Sequence, residues 1–298
     1  MKKIASKLFA LLPVSWQIRL RKKVSLLYYE AGYGDTLMAG AVAREIKKKY
    51  GAVFITVNGM KEELLKNNPN VDRTGQRYDG IDLNYHCNDV KNNTAHSFDD
   101  NLIGAMCNKV GIRNPSRSVD IFLTGEENDY AQKQISSLQK PVITIHTTSD
   151  SFDNRRKWWP HEYWEKLGDL LLKKGCNLVQ LGGEGEQPVR GAIYLAGTTD
   201  IRRSIAVIKA ADLHIGIVSS LMHGAAAVGT PAVILFGGFE RYSLHGYKNI
   251  TPVESYISCS PCIQPHAVIE QCPFNNKCMR EITAEAVYEK VDELLNRA

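Results

Sequence analysis

Three short stretches combine residue types that could bind or activate an anionic ligand, and each also has a plainer structural reading. In Gly32-Tyr33-Gly34-Asp35, two glycines let the backbone turn tightly and approach a ligand, and Asp35 falls at a helix start. The positive end of that helix favours the carboxylate form, a proton acceptor. The plainer reading is a helix cap. Arg155-Arg156-Lys157 lies in a loop after an apolar run and just before the helix start at Pro160. Cations there suit a phosphate, the lysine acting as a point charge, and a solvated charge cluster is the alternative. Ser219-Ser220-Leu221-Met222-His223 follows a strand pattern and opens a helix. Its free amides form an anion site, to which the two hydroxyls add donors. An alanine-rich core helix would explain Ala225–Ala227 but not the Ser-Ser and Met-His that precede them.

A fourth stretch gathers thiols: Cys259-x2-Cys262, then Cys272 and Cys278, four of seven cysteines. Cys87, Cys107 and Cys176 are scattered and read as small hydrophobes. No secretion signal is recognised, so the cluster reads as a metal site rather than a pair of disulfides. Four thiolates suit tetrahedral zinc or a single iron, with His266 as a substitute ligand. Such a closed site is structural, pinning the loop before the last helix. Free buried thiols are the alternative.

The Gly32–Asp35 turn does not complete a dinucleotide fingerprint. Leu37 stands where the third glycine would be, and Asn58 where an acid should end the second strand. NAD binding is therefore disfavoured.

Short apolar runs alternating with helical patterns must position these stretches, which argues for α/β architecture with parallel sheets. The 298 residues suit two domains of similar size, and 44% hydrophobic with 23% charged content excludes a disordered chain or a disulfide scaffold. In the first half, strands are expected at Val24–Tyr29, Val53–Val57, Ile81–Tyr85 and Val119–Phe122. Helices are expected after Asp35 to about Lys49, then at Lys61–Lys66, Ser97–Val110 and Glu126–Leu138. The second half is clearer, with strands at Val142–His146, Asn177–Leu181, Leu213–Val218 and Ala232–Phe236. Its helices run from Pro160 to Gly175, over Asp200–Ala210 and Leu221–Val228, and onward from Thr283. The boundary is expected at Gln139-Lys140-Pro141, giving segments 1–23, 24–139 and 140–298.

The net charge of +5 is uneven: seven cations precede the first acid, Glu30, and the remainder sums to −2. The body has no basic excess, which disfavours nucleic acid as a partner. Ile4, Leu8, Leu11 and Leu12 share a helical face up to Pro13, and Val14, Trp16, Ile18 and Leu20 lead into Arg21-Lys22-Lys23. The functional reading is peripheral contact with an anionic membrane, and the alternative is a first helix packed on the protein. No run of eighteen apolar residues is present. The expected location is the cytoplasm, at the inner face of the plasma membrane if that contact forms.

Taken together, the motifs resemble those of glycosyltransferase family 9, the bacterial ADP-heptose heptosyltransferases. Gly32-Tyr33-Gly34-Asp35-Thr36-Leu37 is similar to its Gly-Asp turn, and Lys157-Trp158-Trp159-Pro160 to its Lys-x-Trp-Pro segment. Gly216 through Pro231 resembles its signature of a polar turn, Met-His, Ala-Ala and Gly-Thr-Pro, with Leu235-Phe236-Gly237 following. The likeness is strong over 141–240 and weak over 68–135.

The resemblance implies a GT-B fold, two Rossmann-like doubly wound domains facing across a cleft, with acceptor on the first and nucleotide sugar on the second. It implies inverting transfer to a saccharide or protein hydroxyl with no catalytic cofactor. Asp35 would be the base, and Lys157 with the helix start at Ser219–His223 would hold the leaving diphosphate. Gly182 and Gly183 would lie near the nucleotide, with Gly32 and Gly34 shaping the base's turn. ADP-heptose is the expected donor, and some protein-modifying relatives hold iron through a similar cysteine group. Val218 stands where an aspartate is usual and Ser220 where a glycine is, which bears on the transferred sugar. The alternatives are a non-catalytic nucleotide-sugar binder of the same fold, which needs no base at Asp35, and a nucleotide-sugar epimerase, which needs no acceptor.

Overall fold

The computed structural model describes residues 11–28, 32–59, 61–75, 80–83, 101–148, 156–260 and 272–297. The chain divides into two compact units, Met1–Phe122 and Leu123–Ala298. The linker expected at Gln139–Pro141 lies inside the second unit. The helix before it, Gly125–Ile135, is tied there by Glu127, whose carboxylate takes Arg202 at 2.5 and 2.9 Å.

In the first unit, α1 (Val14–Arg21) leads into β1 (Lys23–Tyr28), then α2 (Tyr33–Tyr50), β2 (Phe54–Gly59), β3 (Arg73–Gly75), β4 (Ile81–Asp82) and α3 (Leu102–Lys109). The strands form one parallel sheet in the order β3-β2-β1-β4. Glycine and alanine at 39–41 and 43 let α2 lie close on the sheet with Leu37, Met38, Val42 and Ile46 buried. Helix α1, which carries no clear pattern in the sequence, buries Ile18 and turns Trp16 and Leu20 outward. The strand expected at Val119–Phe122 does not form. Among the described residues it joins neither sheet, and Arg44 ties it instead, donating to the Ser118 carbonyl and pairing with Asp120. The 3-10 turn Glu62–Leu65 takes the place of the short helix after β2. The amphipathic stretch up to residue 10, and residues 84–100, lie outside the described residues.

The second unit runs α4 (Gly125–Ile135), β5 (Val142–His146), α5 (His161–Lys173), β6 (Asn177–Leu181), β7 (Ile193–Tyr194) and α6 (Ile201–Ala210). It continues with β8 (Leu213–Ile217), α7 (Ser220–Val228), β9 (Ala232–Phe236), β10 (Ile250–Glu254), α8 (Lys277–Glu281) and α9 (Ala284–Leu295). Its sheet is all parallel in the order β10-β9-β8-β5-β6-β7. Strands β5, β8 and β9 are buried throughout, as their largely apolar runs require when helices cover both faces. The winding reverses between β5 and β8, so the crevice outside the carboxyl ends of those strands is where a doubly wound sheet takes a ligand.

The glycine of Met-His-Gly has a packing reason: a Cβ on Gly224 would meet Ile205 of α6 at 2.6 Å. Gly224→Ala is therefore expected to cost about 1–3 kcal/mol by overpacking the α6–α7 interface, read as a lower urea midpoint with an unchanged m-value.

Candidate functional site

Each unit brings chemistry-bearing residues to the carboxyl ends of its strands. In the first unit, Gly32 precedes α2, and its N–H donates to the Asp35 Oδ2 at 2.8 Å. Thr36 closes the turn, its N–H and Oγ1 both reaching the Gly32 carbonyl at 3.2 Å. Asp35 is thus capping and half-buried at once, its carboxylate held at the helix start by the turn the two glycines permit.

In the second unit, Ser219 precedes α7 at the switch point, and its Oγ lies 2.9 Å from the Nδ1 of His146, the last residue of β5. His146 also turns its Nε2 to Glu186 Oε1 at 3.5 Å. Glu186 sits in the loop after β6, accepting from the Gly183 N–H at 2.9 Å and from Thr147 Oγ1 at 2.7 Å. Burial alone would raise this carboxyl, but His146, Thr147 and the Gly183 amide outweigh it and hold it below its usual range. Gly182 has φ +149°, and a Cβ there would meet the Glu186 carboxylate. The two glycines thus cradle the protein's own acid.

Lys157 lies in the same unit with its ammonium 2.7 Å from Glu240 Oε1 and over the ring of Phe239. Glu240 Oε2 accepts from His245 Nε2 at 3.1 Å, and His223 of α7 bonds Tyr247 OH through Nδ1 at 2.8 Å. Lys157 and His223 are therefore gathered near one another through this group, while Ser219 joins the His146–Glu186 group. Val218 is buried at the end of β8. Leu221 and Met222 are buried in α7, and Ser220, its first residue, is half-buried. An open pocket of about 920 Å³ lies beside these loops, lined by Thr147, Trp158, Trp164, Glu184, Glu186 and Arg280 among others.

His146, Glu186, Glu240 and His245 carry no motif, and the sequence reading missed them. The available signal was position: His146 ends a parallel strand, and Glu186 and Glu240 lie in loops that follow one, where functional groups of such sheets gather.

Two buried imidazoles set an acid limit on stability. Burial pushes His214 down to about 3 and His223 well below its usual value, each lowered further by a neighbouring histidine. Both stay neutral in the fold, whereas an unfolded histidine binds its proton near pH 6.5. Stability is therefore full above about pH 6.5 and is expected to fall below it, by up to about 1.4 kcal/mol per pH unit for each group. Urea midpoints at pH 7.5, 6.0 and 5.0 check this, and no change before pH 5 would contradict it.

The expected four-cysteine metal site is not assembled by the described residues. Among them, no group of three or more His, Cys, Asp or Glu side chains could hold a metal ion. Cys262 and His266 lie outside the described residues. Cys278 is buried, with the amides of Gly238 and Met279 hydrogen-bonded to its sulfur, and its thiol is raised by burial and by the nearby Cys272 and Cys259. Cys272 Sγ accepts from the Asn276 N–H at 3.4 Å. Among the described residues, no helix is long and apolar enough to cross a membrane.

The chain is similar to lipooligosaccharide heptosyltransferase 2 of Haemophilus ducreyi, 28% identical over 123 residues, 36% of this chain and 35% of that one. It is likewise similar to lipooligosaccharide heptosyltransferase 2 of Haemophilus influenzae, 24% identical over 162 residues, 50% of this chain and 46% of that one. The matches thus span less than half the length of these curated relatives. Among solved structures, the E. coli ADP-heptose LPS heptosyltransferase II matches with TM-score 0.68 at 16% identity, covering 92% of this chain and 99% of that one. A family 9 glycosyl transferase from Veillonella parvula matches with TM-score 0.71 at 17% identity, covering 93% and 97%. The iron-containing dodecameric heptosyltransferase TibC, solved in complex with ADP-D-β-D-heptose, gives 0.72 at 17%, covering 92% and 76%. The chain shares the fold of these proteins, which is of the GT-B type expected from its motifs. The description of glycosyltransferase family 9 (heptosyltransferase) matches residues 40–272, most of the chain, and the chain belongs to that family.

Proposed function

We propose that the protein is a glycosyltransferase that moves a sugar from a nucleoside diphosphate to a hydroxyl of a saccharide or protein, with inversion and without a catalytic metal. The observation that supports this is the amino end of α7 at the second unit's switch point, which offers amide donors to a diphosphate, with the Lys157 ammonium linked to the same helix through Glu240, His245 and His223. The acceptor is assigned to the first unit and the donor to the second. Asp35 takes the proton of the attacking hydroxyl, and Lys157 with the α7 amides stabilises the departing diphosphate. Heptose is the first candidate sugar, supported by the ADP-heptose bound to TibC. Calorimetry with ADP-heptose and with ADP-, UDP- and GDP-hexoses tests the reading. Binding of one donor supports it, and binding of NAD alone overturns it. Donor binding without transfer to any acceptor would favour a non-catalytic binder, a reading motivated by buried Val218, and conversion of the donor without an acceptor would favour an epimerase.

The cytoplasmic face of an anionic membrane is the proposed location. Trp16 and Leu20 are 59% and 62% exposed on the outer side of α1, beside Arg21, Lys22 and Lys23. Sedimentation with anionic vesicles, set against neutral ones, tests it.

The cysteine segment is proposed to hold structural iron or zinc, supported by the Cys259-x2-Cys262 spacing. Elemental analysis of the purified protein is expected to find that metal and to lose it in a Cys259→Ser/Cys262→Ser variant. A metal-free, stable wild type would rule it out.

A further inference from the structure

We propose that Glu240 and His245 are positioning residues: they brace Lys157 and register it against α7, so that cation and helix amides form one preset seat for a diphosphate. This rests on the transferase reading above and adds two residues that no motif singles out.

A lysine on a four-carbon stem has many rotamers, and ordering it on a ligand costs conformational entropy. Here the ordering is already done. The Lys157 side chain is 13% exposed and that of Glu240 9%, with 2.7 Å between ammonium and Oε1. The centre of the Phe239 ring lies 4.4 Å from the ammonium and 4.8 Å from the guanidinium of Arg156, so both cations pack on one aromatic ring. Glu240 takes one of the three ammonium hydrogens and leaves two for a ligand.

The brace continues inward. Glu240 spends its second oxygen on His245 Nε2 at 3.1 Å. The His245 ring meets the ring of His223 edge-on at 5.2 Å, and His223 bonds Tyr247 OH at 2.8 Å. His223 lies on α7, one turn along from Ser219. Contacts therefore run without a break from the ammonium to the helix whose amino end is assigned to the same diphosphate. Burial alone would raise Glu240, but Lys157 and His245 hold it well below the usual carboxylate range, so the brace is charged at neutral pH.

The test uses ADP, GDP and UDP as probes, with the matching nucleosides as controls. Glu240→Gln is expected to weaken the nucleoside diphosphate that binds wild type by roughly tenfold, while the matching nucleoside binds as before. Glu240→Asp should recover part of the loss, and His245→Ala should show a smaller one. In a Lys157→Ala background, Glu240→Gln should have no further effect, because it acts through the missing ammonium. Equal weakening of nucleoside and diphosphate, or additive effects in the double variant, would overturn the proposal.

A ligand-free readout separates this from the failure of the transferase reading. Amine labelling followed by peptide mass spectrometry should find Lys157 protected in wild type and modified in Glu240→Gln. If wild type binds no nucleoside diphosphate but Lys157 shows this contrast, the transferase reading fails and the brace stands. If Lys157 is labelled equally in both proteins, the brace fails whatever the protein binds.

Discussion

Asp35→Asn is expected to reduce transfer by about 10²- to 10⁴-fold, the usual worth of a positioned general base, with donor affinity and melting temperature nearly unchanged. Asparagine keeps a side-chain oxygen to accept the Gly32 N–H, the 2.8 Å bond that caps α2, so the turn survives the substitution. What it loses is the ability to take a proton. This separates the two roles that the sequence left open. A residue that only caps tolerates asparagine, whereas a base does not. Asp35→Ala would remove both and add a capping cost of about 1 kcal/mol, which makes it the poorer test. Wild-type turnover in Asp35→Asn would leave the residue as a cap and return the search for a base to the acceptor side.

Lys157→Met should act on function and stability together. Loss of the charge facing the diphosphate is expected to weaken donor binding and to lower kcat/KM by about 10²-fold or more. The substitution also strands Glu240, and breaking one side of a buried pair costs about 3–5 kcal/mol. Burial would then raise the Glu240 carboxyl, because the ammonium that offsets it is gone. In wild type the depressed Glu240 contributes stability that is full above its unfolded value, near pH 4.3, and is lost as pH falls through its lower folded value. In Lys157→Met the sign reverses: with its carboxyl raised by burial, the folded state takes up the proton more readily than the unfolded one, so the deficit against wild type is largest near neutral pH and shrinks as pH falls. Urea midpoints between pH 4 and 7, read beside donor titrations, check both effects. Unchanged kinetics would leave Lys157 as a structural charge only.

What could be read from sequence depended on whether a segment's role is local. Strands β5, β6, β8 and β9 are short apolar runs between helical patterns, and α5 carries a buried stripe of Trp164, Leu167 and Leu171, so pattern alone found them. Edge strands were harder. Strand β10 contains Pro252, which an edge tolerates and a central strand would not, and β3 is only Arg73–Gly75. The Val119–Phe122 stretch has strand-like residues but joins neither sheet among the described residues, and pairing is not a property of the segment itself.

The candidate site divides in the same way. Asp35, Lys157 and Ser219 sit in turns whose glycines, prolines and small residues mark them. Glu240 and His146 could not be marked so: Glu240 owes its role to a lysine 83 residues earlier, and His146 to a serine 73 residues later. Their chemistry exists only after the sheet has brought the loops together.

The second sheet is wound outward from its middle, which matters while the chain is being made. Strand β5 emerges from the ribosome first, and β6 and β7 soon cover one side of it. Its other neighbour, β8, begins only at Leu213. Until then a strand buried throughout in the finished fold presents one bare edge of unpaired amides and carbonyls to other chains. Synthesis that stalls between β7 and β8 thus leaves an aggregation-prone nascent chain, and this interval is where a chaperone would have most to do.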